Sequence, residues 1–415
     1  MASAPRRVVV TGIGVVSPLG LTTAETWSGL LEGRSGAAPI KRFDPSNLDV
    51  RFGCEVKGFD PLKFMDKKEA RRFDQFLQYA IAAAHEATCE AGLEKAPDAE
   101  RTGVIIGSGI GGIGTFEEQC KIYLTQGPGR VSPFFIPMFI PDIASGIVSI
   151  RYGAKGPNYC TVSACASSAH AIGESFRLIQ TGVADVMITG GAESAITPLS
   201  IAGFGNMKAL STRNEEPEKA SRPFDKGRDG FVMGDGAGIV VIESLEHAMD
   251  RGATIRAEIK GYGLSADAFH ITQPAPGGEG AKRAMIACLA DGSVNPRDVG
   301  YINAHGTSTP HGDQAEVQAV KDVFGDHAKK LIMGSTKSMT GHLLGAAGGL
   351  EFAVSVLTIE TGEIPPTINQ DVPDPECDLN CAPNKKVARK VDVALSNSFG
   401  FGGHNASLAV SRFEP

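Results

Sequence analysis

No Cys-x-x-Cys pair, no Gly-x-Ser-x-Gly elbow and no His-x-x-x-His pair occurs in the 415 residues. With eight scattered cysteines, the first absence argues against a disulfide framework. Cys377 and Cys381 lie close together, but no second Cys or His pair stands nearby to complete a zinc site. The thiols are expected to be reduced and the compartment cytoplasmic. The missing elbow weakens a serine hydrolase, and the missing histidine pair argues against a helix-borne metal site. No run approaches the roughly 18 apolar residues of a membrane span. The apolar run within Met1–Val10 is too short for a secretory signal. No stable membrane insertion is expected. A positive balance is also missing: the net charge of -7 disfavours a bulk nucleic-acid binder, although it allows a local basic patch.

What is present is ordinary globular composition, 42% hydrophobic and 21% charged. The length suits two domains or one large duplicated one. One theme is stated twice, in the same order. Arg7–Gly14 (RVVVTGIG) resembles Arg256–Gly263 (RAEIKGYG), and Gly103–Gly109 (GVIIGSG) resembles Gly300–Gly306 (GYINAHG). Asn158–Ala166 parallels Leu331–Gly341, and Asp185–Ser194 parallels Asp392–Gly403. Two halves are expected, residues 1–255 carrying Cys165 and residues 256–415 carrying His305 and His342. Helical stretches lie between the strands. The clearest is Asp66–Gly92, with a capping box at Asp66 and Glu69 and apolar residues at helical spacing from Phe73 to Ala84. Alternating strands and helices imply α/β layers, with chemistry on loops at strand C-terminal ends.

Cys165 sits among small residues in TVSACASSAH, ahead of an amphipathic helix. A helix N-terminus favours the thiolate, at pKa values of roughly 3.5–7.5 in known cases. A buried structural cysteine is the plain alternative, and it suits Cys89, Cys160 and Cys288. His305 follows a strand in NAHGTST, where Thr307 and Thr309 can donate to an extended polar ligand. His342 in GSTKSMTGHLLGAAGG stands beside a helix start, where a cation is disfavoured and a neutral imidazole can donate to a carbonyl oxygen. Lys337 and Glu351 flank it, either as a structural ion pair or as groups that orient the histidine. The loop NSFGFGGHN (397–405) offers flexible glycines and an aromatic: a hinge, a gate and free N–H groups for an oxyanion hole, or merely a connection. Gly107–Gly112 matches Gly-x-Gly-x-x-Gly, but the acidic residue and second strand of a dinucleotide site do not follow.

SACAS, NAHGTST and STKSMTGHLLGAAGG, in that order, resemble the β-ketoacyl-acyl-carrier-protein synthase family, on its type II elongating side. The resemblance runs from VVVTGIGVVSPLG to SNSFGFGGHN. It implies an α/β, thiolase-like fold of two related halves in five α-β-α-β-α layers, usually a homodimer, and no redox or metal cofactor. It implies that Cys165 takes the acyl chain, and that His305 and His342 assist malonyl decarboxylation. Lys337 and Glu351 match a supporting pair. The N–H groups of Cys165 and Phe401 match an oxyanion hole, with Phe401 as gate. Thr272, Thr307 and Thr309 match pantetheine contacts. Ile110, Phe204 and Phe135 match the acyl pocket, Phe135 across a dimer interface. His404 departs from the usual Thr beside the gate. The acidic carrier needs a basic face: Lys67, Lys68, Arg71 and Arg72 open one helix against its dipole, and Lys208 and Arg213 join them by resemblance. The expected function is fatty-acid elongation. A polyketide-type ketosynthase and a non-catalytic partner subunit are the alternatives.

Overall fold

Val8–Val16 (β1) is nine buried residues in a row, the mark of a strand covered on both faces. The computed structural model describes residues 5–415; the first residues of the Met1–Val10 stretch, 1–4, lie outside the described residues. Nine further strands join β1 in one sheet: β2 (Thr102–Gly107), β3 (Asn158–Tyr159), β4 (Val186–Glu193), β5 (Gly236–Ser244), β6 (Ala257–Ala266), β7 (Val299–Asn303), β8 (Ile332–Gly334), β9 (Val393–Gly400) and β10 (His404–Ser411). Their spatial order is β8-β7-β9-β10-β6-β1-β5-β4-β2-β3.

That order reads the same from both ends. β1 meets β6 antiparallel at the centre, with Val8 opposite Ile259 and Val10 opposite Ala257. Outward on one side stand β5, β4, β2 and β3; on the other stand β10, β9, β7 and β8. In both arms the inner pairings are antiparallel and the outer ones parallel. Each repeated sequence segment takes the matching place in its arm.

Helices complete the layers. Gln75–Glu90 covers the first arm from outside, against β1, β5 and β4, and Glu279–Asp291 covers the second, against β6 and β10. Between the arms lie Ser167–Gln180 and Ala347–Thr361, packed on each other and on strands of both. The fold is α/β and thiolase-like, with the layers α-β-α-β-α. Residues Ala347 to Ile359 are buried on every face, as a helix sandwiched between sheets requires.

Two expectations change. The stretch Leu344–Thr361 is long and apolar enough to cross a membrane by composition, yet 89% of it is buried in the protein, so this is the central core helix. Asp66–Gly92 is two helices. The capping box forms, with Asp66 accepting from Lys68 and Glu69, but that helix ends at Ala70. Asp74 turns inward, caps the next helix through the Phe76 N–H and accepts from both the N–H and hydroxyl of Thr115. Gln78 then donates back to the carbonyls of Ala70 and Phe73, closing the break. All eight cysteines are unpaired.

Candidate active site

Cys165 is presented on a strained turn. Ala164 stands at φ 50°, in the left-handed region, within the 3-10 turn Ala164–Ala166 that opens into the helix Ser167–Gln180. The side chain is 8% exposed and borders a cavity also lined by Phe204, Phe231, Leu344, His305 and His342. Thr272, Thr307, Thr309 and Phe401 line the same cavity. Desolvation governs the sulfur. Burial pushes the thiol up to about 12, against the opposing pull of Lys337 and the Phe401 N–H. Burial thus works against the thiolate that the helix end favours.

His305 projects from the end of β7. Its N–H and that of Gly306 both donate to the Glu316 carboxylate, at 3.0 and 2.8 Å, and Asn397 donates to the same group at 3.2 Å. Glu316, on the buried face of the helix Pro310–Phe324, thus clamps the backbone that carries the imidazole. Sequence reasoning missed it, since an acid on a helix resembles any solvated surface group. Its burial became visible only with the helix packed.

His342 follows the short helix Lys337–Thr340 through Gly341, at φ 68°. Its N–H donates to the Val232 carbonyl at 2.7 Å, and its carbonyl accepts from Gly234 at 2.9 Å, so the segment is stitched like a strand. The two rings stand edge to face, centroids 5.3 Å apart, with Phe231 against His342 and Phe399 against His305. Nδ1 of His305 and both nitrogens of His342 have no hydrogen-bond partner in the chain. Burial holds both imidazoles well below the ordinary histidine range, and the Lys337 charge adds to it. They are neutral rings with free nitrogens facing one cavity. A ligand oxygen there can accept from both.

Lys337 and Glu351 are almost fully buried and paired with each other directly. Burial pushes Glu351 up, and Lys337 pulls it back. The pair lies behind the histidines rather than in the cavity wall. Its cation adds to burial in depressing both rings.

The Phe401 N–H lies close enough to the Cys165 sulfur to work against its desolvation. The Phe401 ring packs on Phe204 at 6.4 Å, and Gly402 and Gly403 follow at φ 85° and 74°, which only glycine adopts easily. Ile110 packs in the apolar cluster that holds Cys165, Phe204 and Leu344. Phe135 is not brought in: it stacks with Phe116 and Phe139, away from the cavity of this chain.

The basic residues divide. Lys67, Lys68 and Arg71 are exposed, while Arg72 lies over the Phe134 ring at 4.1 Å. They belong to the four-residue helix Lys67–Ala70 and its end, so the dipole of a long helix does not act against them. Lys208 is exposed, 3.7 Å from Asp49. Arg213 is committed to its own chain, donating to the Gly227 carbonyl at 2.6 Å beside Asp229.

The ligand atoms of Cys165, His305 and His342 all lie within 4.8 Å of one another. Such a trio also suits a metal ion. The His-x-x-x-His spacing could not have indicated this, because the three residues come from three separate loops.

Two family models match: the beta-ketoacyl synthase N-terminal domain over residues 5–248 and its C-terminal domain over residues 256–371. The 3-oxoacyl-(acyl-carrier-protein) synthase 2 of Synechocystis sp. is 54% identical over 410 residues, 99% of either chain. Among solved structures, the ishigamide ketosynthase/chain length factor superposes with TM-score 0.93 at 36% identity, covering 99% of this chain and 100% of that one. A type II polyketide-synthase acyl-carrier protein in complex with its ketosynthase, bound to the hexaketide, gives TM-score 0.91 at 35% identity, covering 99% and 100%.

Proposed function

The chain belongs to the beta-ketoacyl synthase family, and from that premise we propose how its residues divide the work of fatty-acid elongation. It is a condensing enzyme: acyl from an acyl-carrier and malonyl from a malonyl-carrier give 3-oxoacyl-carrier and CO2. The observation that carries the assignment is the trio of Cys165, His305 and His342 within 4.8 Å.

The Cys165 sulfur attacks the acyl thioester of the first carrier. The tetrahedral oxyanion rests on the N–H groups of Cys165 and Phe401. The carrier sulfur leaves, taking up the proton that the thiol gives, and Cys165 holds the acyl group. Malonyl-carrier then enters. The two neutral imidazoles donate to its thioester oxygen as the C–C bond to the carboxylate breaks. CO2 departs and the electron pair stays as an enolate. The enolate carbon attacks the Cys165 thioester, a C–C bond forms, and the cysteine sulfur leaves and takes a proton from solvent. Thr272, Thr307 and Thr309 hold the carrier's arm; Ile110 and Phe204 bound the acyl chain. Burial and the Lys337 charge keep the rings neutral, and Glu351 holds Lys337 in place. We take residues 1–255 and 256–415 as the two functional halves.

The partner is an acyl carrier. We propose Lys67, Lys68, Arg71 and Lys208 as its contacts, with Arg72 and Arg213 as structural neighbours. A second copy of the chain fits the free edge at β3, where Ile150, Tyr159 and Val162 are exposed on or beside the strand. Phe135 would then reach the partner's pocket. Eight unpaired thiols support a cytoplasmic site of action.

The test is reconstitution with acyl-carrier and malonyl-carrier: stoichiometric CO2 and 3-oxoacyl-carrier support the assignment, and neither product refutes it. A polyketide-type acyl substrate is the second reading, favoured by the two ketosynthase structures above. Competition between acyl chains separates the two.

A further inference from the structure

The nucleophile's turn has a double in the other half. Ala164 at φ 50° opens the 3-10 turn Ala164–Ala166, and a helix starts at Ser167. Leu344 at φ 48° opens the 3-10 turn Leu344–Ala346, and a helix starts at Ala347. Both helices lie in the central layer. By this register Gly345 is the counterpart of Cys165.

Gly345 has no side chain, and the place where one would begin is taken. A Cβ on Gly345 would stand 2.2 Å from the Gly109 backbone N and 2.6 Å from Glu193 Oε2, so the Ser108–Ile110 loop and the carboxylate fill the place together. Glu193, at the end of β4, is fully buried. Oε2 accepts from the N–H groups of Gly345 at 3.0 Å and Gly109 at 2.7 Å. Oε1 accepts from the Ser108 hydroxyl at 2.9 Å and the Ile110 N–H at 3.2 Å. Four donors converge on one carboxylate with no cation among them. Three of the donors belong to the Ser108–Ile110 loop, which sets Ile110 in the Cys165 cluster. The fourth lies three residues after His342.

We propose that Glu193 is a positioning residue for condensation, its carboxylate filling the counterpart of the nucleophile's turn and so fixing the Ile110 loop to the His342 segment. The idea rests on the acyl-enzyme reading above. The helix-end donors that face a substrate oxyanion at Cys165 face a built-in carboxyl group at Gly345; burial pushes that group up to about 7, against the opposing pull of its four donors. Removing that group frees four donors at once and releases both walls of the acyl pocket. A glutamine fills the same volume but turns an NH2 toward N–H donors, so the isosteric change does not substitute.

The experiment uses the full chain as Glu193→Ala and Glu193→Gln, with sodium formate as probe and sodium chloride at equal ionic strength as control. Acyl loading of Cys165 is measured across chain lengths, alongside malonyl-carrier decarboxylation. Misplacement on this scale costs on the order of a hundredfold in rate. That loss is expected in both variants, with a changed ranking of chain lengths. Formate, a free carboxylate, is expected to restore Glu193→Ala and to leave Glu193→Gln unchanged. Wild-type rates and ranking in Glu193→Gln overturn the proposal. So does a folded Glu193→Ala whose loss formate does not touch. Should the alanine variant not fold, the glutamine variant decides alone by rate and ranking. A wild-type chain that takes no acyl group at all refutes the acyl-enzyme reading instead.

Discussion

The imidazoles of His305 and His342 meet edge to face, their planes at 87°, and among the described residues no carboxylate pairs with either ring. In many hydrolytic sites a carboxylate stabilises an imidazolium. Here burial opposes protonation, and the charge that adds to it on both rings is a cation, Lys337. The arrangement suits rings that donate hydrogen bonds while neutral.

The sign of the pH dependence follows. Both rings are held well below the ordinary value of about 6.5. Malonyl-carrier decarboxylation should stay level as pH falls through that value, with its acid limb lower still. Lys337→Met removes the charge that adds to burial in depressing both rings, so the limb should move part of the way to higher pH. A pH–rate profile for each protein checks it; an unmoved limb would mean that Lys337 does not act on the histidines.

Lys337 also has a structural duty. Its loss strands the Glu351 carboxylate in the core, and breaking a buried pair from one side typically costs about 3–5 kcal/mol. Lys337→Met should therefore lower the denaturation midpoint strongly. Lys337→Met with Glu351→Leu, which removes both charges, should recover most of that loss. Urea unfolding of the three proteins measures it.

Cys165 rests as a thiol pushed up to about 12. Its alkylation by iodoacetamide should keep rising with pH past the ordinary thiol value of about 8.5, without a plateau there. Cys165→Gln should still release CO2 from malonyl-carrier, because the imidazoles remain, but should form no condensed product. Normal condensation by that variant would remove Cys165 from the mechanism.

Gly402 tests the gate. At φ 85° an alanine is strained by roughly 1–2 kcal/mol, and its Cβ would meet the His404 ring at 2.8 Å. Gly402→Ala should slow acyl loading while leaving decarboxylation in a Cys165→Gln background near its own level. Rapid-quench loading assays separate the two.

The duplication was legible because both arms need the same strand-to-loop spacing, and repeated Gly-x-Gly ends preserve it. The convergence of Cys165, His305 and His342 on one cavity was legible because each sits in a small-residue loop that allows close backbone approach. The break at Asp74 was not, since Phe73, Phe76 and Leu77 keep helical spacing across it, and the Thr115 contact that turns Asp74 inward is distant in sequence. Glu316 and Glu193 were illegible for a related reason. A carboxylate that accepts from backbone N–H groups leaves no partner residue type in the sequence to point at it. The upward push on the Cys165 thiol was not legible, because a helix end is visible in sequence and burial is not.

The most direct measurement is intact-protein mass spectrometry after incubation with acyl-carrier. The account predicts a mass gain of one acyl group, mapped by peptide digestion to Cys165 and absent from Cys165→Ala. No gain on the wild-type chain, or an equal gain on Cys165→Ala, would contradict it.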